Sequence, residues 1–136
     1  MNPISAKKLI PRGCQFTLVQ VASAPRLVEY LRRRVGDDLR GVVCYDEAET
    51  DVVFARADRP GIESDAERAV RYLQHESRSR EREAFPFGDV NGTVRSFEDA
   101  VVMHFPLAES RGIVVTLDPN AARQLNAFMA DCIDRL

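Results

Sequence analysis

Tryptophan is absent from this chain, lysine occurs only at Lys7 and Lys8, and histidine only at His75 and His104. Two histidines without HxxxH or HExxH spacing give no compact metal motif, and no bound metal or cofactor is expected. The three cysteines, Cys14, Cys44 and Cys132, are far apart and form no CxxC. An odd count with no secretory segment points to a reducing cytosol. After Lys7 and Lys8 no unbroken apolar stretch follows, because Pro11 and Arg12 interrupt it, so the start does not read as a signal peptide. No run approaches the ~20 apolar residues that cross a bilayer, which excludes a helical membrane span. Neither a GxSxG elbow nor a GxxxxGK[ST] phosphate loop occurs. The turn-rich Gly88-Asp89-Val90-Asn91-Gly92 is followed by a strand pattern, where a phosphate loop requires a helix. A nucleophilic site would need Cys14, Cys44 or a serine with a histidine as base, and no spacing in the sequence assembles one.

What is present fits one folded domain. The chain has 136 residues, 45% of them apolar and 29% charged, with a net charge of −2. That length buries roughly two-thirds of its surface on folding, so neither a metal nor a disulfide is needed to hold it. The charge is unevenly spread. Residues 1–24 carry Lys7, Lys8 and Arg12 and no acid, a charge of +3. The rest has 16 basic and 21 acidic groups, hence −5. A mildly acidic body attracts nucleic acid weakly, since that affinity comes mostly from neutralising phosphates.

Residues 1–22 read as a basic arm, and 23–136 as a single α+β domain. Within the arm, residues 15–21 alternate weakly, as either a short strand or an ordered extension. Ser23-Ala24-Pro25 predicts a helix start, with proline in the first turn, where its missing N–H costs nothing. Leu27, Val28, Leu31 and Val35 follow at helical spacing and Gly36 stops the helix. Gly41–Tyr45 and Asp51–Arg56 read as a hairpin. Ser64 with Glu67 makes a capping box for a second helix, striped by Ala66, Ala69, Val70 and Leu73, whose end from Gln74 to Glu83 is almost wholly polar. Three further strands are expected at Gly92–Phe97, Ala100–Phe105 (stopped by Pro106) and Gly112–Leu117. Asp118-Pro119 then predicts a capped helix, with Ala122, Leu125, Phe128, Met129, Cys132, Ile133 and Leu136 on one face.

The order α-β-β-α-β-β-β-α predicts a largely antiparallel five-stranded sheet with helices packed on it. The expected core is Leu27, Leu31, Val35, Val43, Val53, Val70, Leu73, Val101, Met103, Phe105, Val114, Leu125, Phe128 and Met129. Cys44 and Cys132 read as small buried hydrophobes, and Phe54, Phe97 and Phe105 as mostly buried aromatics. His104 reads as a packed or surface residue of its strand. The second strand has few charges and no proline, which leaves it poorly guarded if it lies at a sheet edge. A second copy would cover it, or residues 15–21 would fold back over it.

From the first helix through the GVVCYD and DVVFARAD strands, the polar-ended helix, FEDAVVMHFP, GIVVTLDP and the closing helix, this order resembles the roadblock/LC7 family and its profilin-like relatives. The phrases VRSFEDAVVMHFP and RGIVVTLDPNAARQLNAFMADCIDRL separately resemble an uncharacterised haloarchaeal domain family. The roadblock resemblance implies a non-enzymatic, homodimeric regulatory platform beside another protein such as a small GTPase, with no catalytic residues to carry over. The alternative is a small nucleic-acid-associated regulator using arginine clusters. Arg32, Arg33, Arg34, Arg78, Arg80 and Arg82 form its candidate interaction surface, if the end of the first helix lies beside that of the second.

Overall fold

A computed structural model of the chain describes residues 18–57, 62–80, 86–108 and 110–136. Among the described residues three helices, α1 (Leu18–Val35), α2 (Ile62–Arg80) and α3 (Arg123–Ile133), accompany five strands. The strands are β1 (Leu39–Tyr45), β2 (Thr50–Ala55), β3 (Thr93–Ser96), β4 (Val101–Ala108) and β5 (Arg111–Leu117). They form one antiparallel sheet in the order β2-β1-β5-β4-β3. The α+β class and element order follow the sequence pattern.

Helices cover both faces of the sheet, because side chains alternate along each strand. On one face Val28 and Leu31 of α1 pack with Leu39, Val42, Cys44, Val101, Ile113, Val115 and Leu117. On the other, Ala66, Val70 and Leu73 of α2 pack with Val43, Tyr45, Val52 and Val114. The β1–β5 pair is central, and its strands are near-continuously apolar because both faces are covered.

Three local expectations change. Residues 18–21 belong to α1, not to a strand, and Pro25 lies inside that helix; residues 15–17 lie outside the described residues. Strand β4 runs through Pro106 to Ala108. Its pairing with β3 ends at His104, so from there β4 is locally an edge, where a missing N–H is tolerated. Asp118 and Pro119 open a short 3-10 turn, Pro119–Ala122, ahead of α3, and the Asp118 side chain makes no capping bond.

The largest correction concerns the core. Leu31, Val43, Val53, Val70, Leu73, Val101 and Val114 are buried, and Leu27, Val35, Met103 and Phe105 are half-buried. Leu125, Phe128 and Met129 are not core: they are 42%, 66% and 39% exposed. Cys132 is exposed as well, and Phe97 is more than half exposed. The helical period was correct, but α3 does not lay its apolar face on the sheet.

Candidate interaction surface

Asp118 sets where α3 leaves the sheet. Arg40 is the extra residue where β1 shifts register against β5, between Leu39 and Gly41. A bulge of this kind re-aims a side chain, and the Arg40 guanidinium reaches the Asp118 carboxylate and the Asp99 carbonyl. Arg56, just after β2, donates to the other Asp118 oxygen at 2.6 Å and to the Asp37 carbonyl at 2.8 Å. The Arg56 hydrogen bond, reinforced by Arg40, holds the Asp118 carboxyl below its ordinary range. The expected helix cap is therefore spent on two arginines, and it ties β1, β2 and the Pro119–Ala122 turn together.

From that turn α3 departs with its polar flank toward its own sheet. Asn126 accepts from Ser96 Oγ at 2.7 Å and donates to the Pro119 carbonyl at 3.0 Å. Asn126 lies about 100° around the helix from Leu125. Apart from Asn126 every residue of α3 is exposed, so the stripe of Leu125, Phe128, Met129 and Ile133, continued by Leu136, is not laid on the sheet. Ile133 is 62% exposed and Leu136 fully so. Taking ~200 Å² for a large side chain in water, the stripe exposes on the order of 600 Å² of apolar surface. That is at the top of the ~300–600 Å² range of the largest patch on a typical monomer.

Beside α3, the β3–β4 half of the same sheet face is thinly covered. Val94 is 53% exposed, and it pairs across the strands with the half-buried Met103. Phe105, half-buried, continues this strip along β4. No residue of β4 from Val101 to Ala108 carries a carboxylate, ammonium or guanidinium.

The arginines are placed differently. Arg32, Arg33 and Arg34 are exposed in the last turn of α1, with the Arg32 guanidinium 5.4 Å from the Phe54 ring centroid. Arg78 and Arg80 lie in the last turns of α2, and Arg82 is outside the described residues. Helix α1 ends at the start of β1, whereas α2 passes the far end of β1, where Gln74 donates to the Asp46 carbonyl at 3.0 Å. The two helices also pack on opposite faces. The ends of the α1 and α2 backbones are therefore at opposite ends of the sheet.

His75 is exposed on α2. His104 is 3% exposed, and its Nε2 lies 2.7 Å from the Tyr45 hydroxyl. Burial pushes the Tyr45 phenol up to about 12, so it keeps its proton, and the His104 tautomer sets which of the two groups donates. Sequence patterning does not reveal this pair, although Gly112 opposite Tyr45 hints at a ring lying over the backbone. Among the described residues no group of three or more His, Cys, Asp or Glu is placed to hold a metal. Cys44 is buried, and Cys14 lies outside the described residues. A cleft of about 450 Å³ between the β1–β2 turn and α2 is lined by Asp46, Glu47, Glu49, Glu67, Arg71 and Gln74. Within it, Asp46 Oδ1 accepts the Ala48 and Glu49 amides at 2.8 Å, which is a turn-forming role. Among the described residues no helix is long and apolar enough to cross a membrane.

A family model described as a domain of unknown function (DUF7522) matches residues 25–136. No curated protein and no solved structure matches the chain significantly.

Proposed function

Because the chain belongs to the DUF7522 family, a domain of unknown function, we propose a role from its surface: a non-enzymatic interaction and regulatory module that acts as a homodimer in the cytosol. The observation that carries this reading is the uncovered apolar stripe of α3. Amphipathic helices gain most of their stability by burying such a face, so one left in water needs a partner. The roadblock-like element order supports the same reading, with a second protein such as a small GTPase regulated from the outer surface of the dimer. The placement of the α1 and α2 ends at opposite ends of the sheet weighs against nucleic acid as that partner.

Association linked to folding makes thermal stability depend on concentration. The midpoint of unfolding should rise as the protein is taken from one to one hundred micromolar. In Phe128→Asp it should stay flat, because a charge in the stripe removes the association. A flat midpoint in the parent protein contradicts the homodimer.

A further inference from the structure

We infer that the homodimer forms by reciprocal seating, with α3 of each copy lying on the β3–β4 strip of the other. The inference rests on the homodimer reading and specifies its geometry. Among the described residues two apolar surfaces are incompletely covered: the exposed α3 stripe, and the strip where exposed Val94 adjoins the half-buried Met103 and Phe105. A helix stripe is covered by a sheet, and a sheet face by a helix. In its own chain α3 meets the end of β3 through Asn126, and its apolar stripe stays exposed beside that strip. A two-fold exchange satisfies both surfaces twice, as an interface made from the same patch on both subunits requires.

Area and charge fit this occupant. The stripe supplies on the order of 600 Å², and the Val94–Met103–Phe105 strip brings each copy near the ~800 Å² per partner of a standard interface. Interface centres are depleted of charge. None of Leu125, Phe128, Met129, Ile133 and Leu136 is charged, nor is any residue of the strip. A lipid surface is a poorer match. Helices that lie on membranes carry Lys and Arg on the polar face, whereas Arg123, Asp131, Asp134 and Arg135 cancel to zero.

The edges of the sheet offer weaker routes. Strand β2 is an edge, but Val53 is an extra residue in its pairing with β1. A bulge there twists the edge away from a flat partner. Strand β3 has four residues, too few to carry a stable strand-to-strand contact alone.

The test uses full-length protein with Cys14→Ser, leaving Cys132 on α3 as the exposed thiol, since Cys44 is buried. Val94→Cys places a second thiol on the exposed edge strand, and Met103→Cys, its cross-strand neighbour, is the independent repeat. After mild oxidation, non-reducing electrophoresis and peptide mass spectrometry identify the linked residues. A covalent dimer joining position 132 to position 94 or 103, lost when Cys132→Ser is added, supports reciprocal seating. Only Cys132–Cys132 links would mean that the two α3 helices pack together, overturning this geometry while the homodimer stands. A monomer with an internal 94–132 or 103–132 bond would place α3 on its own sheet, and overturns it too. A light-scattering dimer that gives no link in either variant overturns the seating, and a light-scattering monomer before oxidation overturns the homodimer itself.

Discussion

Asp118 and Tyr45 show how single residues hold this fold, and each is testable by pH. Asp118 has a carboxyl pKa lowered by Arg56 and Arg40, so its contribution is present above the ordinary carboxylate value of 3.8 and is lost as pH falls through the lower folded value. Asp118→Asn should cost about 1–3 kcal/mol at neutral pH, as expected for charge-assisted bonds at a part-buried site. The gap between parent and variant in denaturant titrations should close below pH 4. A gap that persists at pH 2 would show that the charge is not what stabilises. Tyr45 has the opposite sign. Its folded pKa of about 12 exceeds the ordinary 10.0, so its contribution is complete below pH 10 and is lost as pH rises toward 12. The ring leaves no room at Gly112, where a Cβ would meet the Tyr45 hydroxyl at 2.5 Å. Gly112→Ala should therefore cost about 1–3 kcal/mol of stability by overpacking. The ring carbons Cζ and Cε2 would lie at 2.7 and 2.8 Å as well, so Gly112→Ala/Tyr45→Phe should recover little of that cost, and full recovery would assign it to the oxygen alone.

Elements differ in how far the sequence determines them. Strands β1 and β5 were legible as apolar runs, since central strands covered on both faces need no polar alternation. Pro25 misplaced the start of α1, because a proline usually marks a first turn and here sits seven residues beyond Leu18. Pro106 misplaced the end of β4 for a related reason: only the extent of β3 decides whether that proline faces a neighbouring strand. For α3 the period was legible and the burial was not. Periodicity identifies the face that needs cover, but not whether the helix lies on the sheet: α3 meets it through the Asn126–Ser96 bond and is exposed at its other residues. The same limit applied to the candidate site: both arginine groups could be listed from the sequence, while the faces that α1 and α2 take are set by the folded sheet. This distinction predicts different outcomes for two similar substitutions. Leu31→Ala, in the buried core, should cost about 2–5 kcal/mol at any protein concentration. Leu125→Ala should leave the stability of dilute protein nearly unchanged and weaken association at high concentration. Equal losses at both concentrations for Leu125→Ala would mean that α3 packs within its own chain.

At the scale of the whole molecule, helices cover both faces of the sheet, and among the described residues the cover is thinnest where Val94 of β3 adjoins Met103 and Phe105 of β4. The bulged β2 edge and the short β3 edge make poor docking strands, which leaves α3 and the strip beside it as the association surface. The most direct measurement is the absolute mass of the full-length protein by light scattering at tens of micromolar. A chain of 15.3 kDa should give twice that value, unchanged by added salt because apolar contacts hold it, and should fall to the single-chain mass in Phe128→Asp. A single-chain mass for the parent protein at that concentration would contradict the central claim.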